Sequence, residues 1–165
     1  MSKAWVFGDD IDTDQLAPGL YMKASIAELS RHCLELVDPT FAAAVRPGDI
    51  VVGGRNFGMG SSREQAVQTL RHLGVAAVVA RSFAGIFFRN AYNLGLLALV
   101  APEAQRLWAG DEIVVDARAG RIDNRSTGER LVCEPVPDRL MALVEAGGLV
   151  PLLERRFRTA KEPAR

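Results

Sequence analysis

The segment Val75–Val100, VAAVVARSFAGIFFRNAYNLGLLALV, decides the fold. Its two apolar runs, Val75–Ala80 and Leu96–Val100, are short and lack the polar alternation of a half-exposed strand. Such runs are strands covered on both faces. The chain between them reads as one helix, with Ser82 as its cap and Gly95 as its stop. A strand, helix and strand in this order pair the two strands in parallel. Toward the N-terminus, PGDIVVGGRNFG gives a turn, a strand at Asp49–Val52 and a glycine loop. A helix is then predicted from Ser62, with Ala66, Val67 and Leu70 on one face and Gly74 at its end. A first strand, Ala4–Phe7, breaks at Gly8. Between these strands, SIAELSRHCLELV predicts a helix with Ser25 and Glu28 at its start and Ile26, Leu29, Cys33, Leu36 and Val37 on its apolar face. A short helix or turn follows, capped by Asp38.

Toward the C-terminus the pattern changes. Short alternating strands are predicted at Ile113–Asp116, Arg121–Asp123 and Arg130–Glu134, joined by polar turns, which are antiparallel signals. PDRLMALVEAGGLVPLLERRF reads as a final helix, capped at Asp138 and stopped at Gly147-Gly148, with a polar tail from about residue 158 that frays. The expected architecture is α/β: a parallel core plus a small antiparallel part, as one domain over residues 1–165. No internal repeat or linker interrupts it.

Composition narrows the function. Of 165 residues, 48% are hydrophobic and 24% charged, and the formal net charge is zero. A chain of this balance has a substantial core but no overall attraction for nucleic acid or an anionic membrane. No apolar run has the length of a membrane span, and the N-terminus does not read as a signal peptide. The two cysteines, Cys33 and Cys133, lack a Cys or His at metal-ligand spacing, so this chain is expected to hold no zinc or iron–sulfur site of its own. Reduced thiols fit a cytoplasmic protein.

The stretch NFGMGSSREQA, Asn56–Ala66, admits two readings. Ser61 and Glu64 have the spacing of a capping box, which needs no ligand. Alternatively, Gly58 and Gly60 let backbone amides approach an anion near a helix N-terminus, and Arg63 adds a guanidinium suited to grip a carboxylate or phosphate. The loop is neither a Walker A motif nor a dinucleotide fingerprint nor a nucleophile elbow. His32 and His72 have no Ser–His pattern. The acidic loop GDDIDTDQ lacks the glycine and glutamate of a calcium-binding hand, so its aspartates are expected to cap turns and pair with Arg55 or Arg63.

GDDIDTDQLAPGLYMK, PGDIVVGGRNFGMGSSREQA and VVARSFAGIFFRNAYNLGLLALV resemble, in order and spacing, the small subunit of isopropylmalate dehydratase. More broadly they resemble the swivelling domain of the aconitase superfamily, over roughly residues 4–150. The resemblance implies a three-layer β/β/α domain that joins a large subunit as a heterodimer, with a [4Fe–4S] cluster held by that partner. It implies reversible dehydration and rehydration of a hydroxy di- or tricarboxylic acid, 2- to 3-isopropylmalate isomerisation in leucine biosynthesis being foremost. By this resemblance Ser61 is the base for the proton α to a carboxylate and Arg63 clamps a substrate carboxylate. Ser62 and Gly60 border the substrate, and Tyr21, Met22 and Lys23 bear on its choice. Asp10, Asp12, Asp14 and Glu64 support them. Met59, Gln65 and Val67 stand where the pattern commonly has cysteine, histidine and proline. That leaves open a related acid, such as dimethylmalate, citramalate or citraconate, or homoaconitate. It also leaves open a non-catalytic anion-binding assembly module.

Overall fold

The computed structural model describes residues 1–161. Its sheet has seven strands in the order β4-β3-β2-β1-β5-β6-β7. One half is parallel: β1 (Ser2–Val6), β2 (Ile50–Gly53), β3 (Ala77–Ala80) and β4 (Leu97–Val100). The register sets Val6 against Val52, Val52 against Val79 and Val79 against Leu99. Every residue of β2 and β3 is buried, which is why both read as unbroken apolar runs. The other half is antiparallel: β5 (Glu112–Asp116), β6 (Arg121–Asn124) and β7 (Arg130–Val132). β1 joins the halves through an antiparallel pairing of Ser2 with Ile113. The mixed α/β architecture expected from the sequence is the one observed.

The helices adjoin mainly the parallel half. They are α1 (Thr13–Leu16), α2 (Ile26–Ser30), α3 (Phe41–Ala44), α4 (Gln65–His72), α5 (Gly85–Asn93), α6 (Asp138–Ala146) and α7 (Leu149–Lys161). Phe7, Phe41, Phe57 and Phe87 are buried among them. Edge-to-face contacts join Phe57 to Phe87 at 5.3 Å and Phe7 to Phe41 at 5.5 Å between ring centroids.

Several local expectations are corrected by tertiary contacts. Ser25 caps α2 as predicted, its hydroxyl accepting from Glu28 N–H at 3.1 Å, but the helix ends at Ser30, not Val37. Leu34 adopts φ +59°, and its amide donates to Gln15 O at 2.8 Å. That long-range bond replaces the helical one, and it turns Leu36 and Val37 outward to 79% and 42% exposure. Asp38 accepts from the Thr40 amide and hydroxyl in a turn before α3. Ser82 does not cap α5; its hydroxyl accepts from Asn56 N–H at 2.8 Å and so fixes the glycine loop. Asp138 is the first residue of α6, after Pro137. At Gly147 and Gly148 the backbone turns left-handed, yet a further helix, α7, follows and includes Arg158–Lys161 of the expected tail. The last four residues of that tail lie outside the described residues.

Candidate functional site

The C-terminal ends of β1 and β2 and the turn after β3 bring three loops together: residues 8–14, 54–64 and 81–84. Asp9 is the first tie between them. Its Oδ1 accepts from Arg55 N–H at 2.6 Å and its Oδ2 from Arg55 Nη2 at 3.3 Å. These bonds hold its carboxyl below the usual carboxylate range. Asp10 donates its amide to Arg55 O at 2.8 Å. Its carboxylate accepts from Asn56 Nδ2 at 3.4 Å. Asp12 caps α1: Oδ1 accepts from Gln15 N–H at 2.7 Å, and Gln15 Oε1 accepts from Asp12 N–H at 2.9 Å. A capping box therefore exists near the site, but on the acidic loop.

Two glycines give the second loop its path. Gly58 has φ +83°, and a Cβ there would stand 2.2 Å from the Phe87 ring. Gly60 has φ +106°, and a Cβ there would meet Thr13 Oγ1 at 2.9 Å. Side chains rarely adopt such backbone angles, and here the space is filled as well. Thr13 N–H donates to Met59 O at 2.8 Å and Gly58 N–H to Ile11 O at 2.7 Å. The loop thus reaches α4 along α1, and Ser61 Oγ lies 3.3 Å from the buried Thr13 Oγ1.

This path corrects the capping reading of Ser61 and Glu64. Helix α4 begins at Gln65, without a side-chain cap. Ser61 is held by Thr13 instead, and the exposed Glu64 contributes only its carbonyl, which accepts from Val67 and Gln68. The amides from Ser61 to Gln65 donate to no acceptor among the described residues. Ser61 and Ser62 are exposed beside them. Successive free amides are the donors from which anion-binding concavities are built.

Arg63 is anchored at one corner only. Its Nη1 donates to Asp14 Oδ1 at 2.8 Å and to Ala17 O at 3.0 Å, while Nε and Nη2 have no partner among the described residues. The Arg63 side chain is 28% exposed, so one edge of the guanidinium faces outward while the other is fixed. The bond from Arg63, and then that from the Gly19 amide, holds the Asp14 carboxyl below its usual range.

Gly19, Leu20 and Tyr21 form a 3₁₀ turn next to this pair; a Cβ at Gly19 would lie 3.8 Å from Arg63 Nη2. Tyr21 and Met22 are half-buried, and Lys23 is exposed. Met59 is half-buried, its Sδ accepting from Asn56 Nδ2 at 3.5 Å. Gln65 opens α4 and Val67 is fully buried in the core. The structure therefore brings Gly60, Ser61, Ser62, Arg63, Asp14 and the Tyr21 turn to one end of the sheet.

The contributions of Thr13, Ser82 and the Ala17 carbonyl escape sequence reasoning. Nothing local marks them; Thr13 and Ser61 meet only because α1 lies beside the glycine loop. Among the described residues no group of three or more His, Cys, Asp and Glu is arranged to hold a metal ion. Cys33 and Cys133 are both buried, and burial pushes the Cys33 thiol up to about 12. No described helix is long and apolar enough to cross a membrane.

Comparison with known proteins matches this geometry to a family. A family model described as the aconitase C-terminal domain matches residues 13–104, which take in the end of the acidic loop, the whole glycine loop and three of the parallel strands. The 3-isopropylmalate dehydratase small subunit 1 of Methanopyrus kandleri is 51% identical over 155 residues, covering 93% of this chain and 91% of its own. The methanogen homoaconitase small subunit of Methanothermobacter thermautotrophicus is 47% identical, covering 90% and 86%. A crystal structure of 3-isopropylmalate dehydratase (LeuD) from Methanocaldococcus jannaschii superposes with TM-score 0.91 at 38% identity, over 98% of both chains. The chain belongs to the aconitase C-terminal domain family, among small subunits of the 3-isopropylmalate dehydratase type.

Proposed function

We propose that this chain is the small subunit of a hydro-lyase that interconverts 2- and 3-isopropylmalate by dehydration and rehydration, a step of leucine biosynthesis, and that it works in the cytoplasm. The observation that carries the reading is the half-anchored Arg63 beside Ser61. Asp14 and the Ala17 carbonyl fix Nη1, so Nε and Nη2 present two parallel donors to a substrate carboxylate. The amides from Ser61 to Gln65, on the same loop, are free of acceptors among the described residues.

In this reading Ser61 Oγ takes the proton α to the bound carboxylate, and the electron pair left on carbon expels the β-hydroxyl as the double bond forms. A serine hydroxyl is far too weak a base unless its alkoxide is stabilised. Free loop amides and the Arg63 guanidinium supply positive potential there without reorganising during the reaction. The Thr13 hydroxyl, 3.3 Å away, orients Oγ and donates to it in the alkoxide form. Ser62 adds a hydrogen bond to the substrate. Tyr21, Met22 and Lys23 face its variable end, the first two offering apolar surface and the third a cation.

The donor set of this chain does not fit an iron–sulfur cluster, which takes its iron ligands mainly from cysteine thiolates. Two buried cysteines with raised thiol pKa values are not such a set. The [4Fe–4S] cluster that acts on the substrate hydroxyl in this family is accordingly assigned to a large-subunit partner, and the steps given to this chain are carboxylate binding and proton transfer. The two chains together form the active heterodimer, with residues 1–165 as one swivelling domain.

A second reading rests on the homoaconitase relative: a substrate with a further carboxylate in place of the alkyl group, met by Lys23. The test is anaerobic reconstitution with a cluster-bearing large subunit of this family, followed by turnover of isopropylmalates, dimethylmalate, citraconate and homocitrate. Hydration or dehydration of an isopropylmalate supports the first reading, and turnover of homocitrate alone supports the second. Silence across the panel, with the complex formed and its cluster intact, overturns both.

A further inference from the structure

Leu34 is fully buried with φ +59°, a left-handed conformation that a branched side chain adopts only when its surroundings force it. What forces it is the bond from its amide to Gln15 O, which ties the turn after α2 to α1, the helix carrying Asp14. Two residues earlier, His32 lies flat on Tyr21, with ring centroids 3.5 Å apart and planes 6° from parallel. Its Nδ1 is 2.7 Å from Glu35 Oε2, and its Nε2 is 3.4 Å from Glu28 Oε1. Tyr21 closes the turn that starts at Gly19, whose amide donates to Asp14 Oδ1 at 3.0 Å.

The geometry points to His32 as a positioning residue for the substrate site: as an imidazolium clamped between Glu28 and Glu35, it holds the Tyr21 ring, and with it the Gly19–Lys23 turn, beside Arg63. This rests on the reading that the turn borders the substrate. The clamp depends on charge for a simple reason. An imidazolium has two N–H donors, one for each carboxylate, whereas a neutral ring has one donor and presents a lone pair to the other carboxylate. A cation on the Tyr21 ring face is further stabilised by its π-system.

The groups around the ring agree. Glu28 is shared with Arg31 at 3.6 Å. On α4, which packs on α2, Arg71 is directed to the carbonyls of Leu94 and Gly147, and Arg63 is held by Asp14. The Glu35 hydrogen bond foremost raises the His32 pKa above its ordinary 6.5. The sign follows: a raised folded value means the clamp is complete below the unfolded pKa and is lost as pH rises through the folded one.

The test uses the full chain without its partner. His32 and His72 are the two histidines, so His72→Gln leaves a single imidazole signal for NMR titration, with Tyr21 ring resonances followed in parallel. The expected result is a His32 midpoint above 6.5 and a Tyr21 ring shift at the same midpoint, both moving to lower pH together in Glu35→Gln. His32→Phe should keep Tyr21 stacked but insensitive to pH, and His32→Ala should release it. A His32 midpoint at or below 6.5, or Tyr21 resonances that stay flat through it, overturns the inference. The readout needs no substrate, so it stands or falls separately from the assigned reaction. In the reconstituted enzyme, His32→Ala should raise KM several-fold with kcat retained.

Discussion

The parallel and antiparallel halves of the sheet treat charge in opposite ways. In the antiparallel half, charged side chains sit along the strands and pair with one another: Arg130 with Asp123 at 2.7 Å, Arg121 with Asp116 and Asp123 at 3.5 Å each. In the parallel half β2 and β3 are apolar throughout, and the charges near the site lie past the strand ends, on the loops carrying Asp9, Asp14, Arg55 and Arg63. Those charges are held by backbone groups as well as by each other, since Asp9 accepts an amide and Arg63 donates to a carbonyl. A pair that satisfies itself has nothing left for a ligand. A guanidinium fixed at one nitrogen by the main chain keeps a fixed edge free.

The largest break in this comparison should come from Ser61→Ala. It should lower turnover in the assembled enzyme by at least about 10²-fold, the scale of a lost general base. Because Ser61 caps no helix, the thermal midpoint should fall only by the loss of the Thr13 contact, about 1 kcal/mol, and a larger fall would return Ser61 to a structural role.

Next come two glycines that share a backbone conformation but not a setting. Gly58→Ala forces a methyl into Phe87 and should destabilise by about 3 kcal/mol or more, as strain and overpacking combine. Gly128→Ala has φ +78° but open space around it, so only the conformational cost of roughly 1 kcal/mol applies. Denaturant unfolding of both variants measures the difference. The same experiment separates the strands: Leu99→Ala, fully buried in β4, should lose about 2–5 kcal/mol, whereas Val132→Thr on β7, 71% exposed, should stay within about 0.5 kcal/mol.

Arg63→Lys keeps the charge but not the planar fork. It should raise KM by roughly tenfold, about 1.4 kcal/mol, with a smaller effect on kcat. An unchanged KM would show that the free edge of Arg63 touches no substrate.

The smallest effect concerns acid. Asp14 has a lowered carboxyl pKa, so what its pairing contributes is present above the ordinary carboxylate range and lost as pH falls through the lowered folded value. Asp14 is 62% exposed, so the thermal midpoint should respond weakly, while substrate affinity at that pH should fall as Arg63 loses its anchor. Arg130→Ala in the antiparallel half should leave both unchanged.

Part of this molecule was legible before any coordinates. Val75–Ala80 and Leu96–Val100 announce buried parallel strands because a strand covered on both faces has no polar side to alternate with. Gly58 and Gly60 announce a close approach, which the Phe87 ring and the Thr13 hydroxyl make. The same local reasoning misplaced the capping pair at Ser61 and Glu64 and carried α2 on to Val37. In each case a bond over a long sequence separation, from Ser61 to Thr13 and from Leu34 to Gln15, replaced the local one that the pattern predicted.

The sequence by itself determined where strands fall, which glycines turn, and which hydroxyl, carboxylate and guanidinium groups a candidate site could draw on, because those are properties of a residue and its near neighbours. Only the tertiary structure decided which of them meet. Thr13 steadies Ser61, Asp14 and the Ala17 carbonyl hold one corner of Arg63, and His32 lies on Tyr21. None of these contacts is between neighbours in sequence. Each forms because burying the apolar faces of α1, α2 and α4 against one another fixes the loops between them, and the polar groups on those loops take the partners that packing leaves within reach.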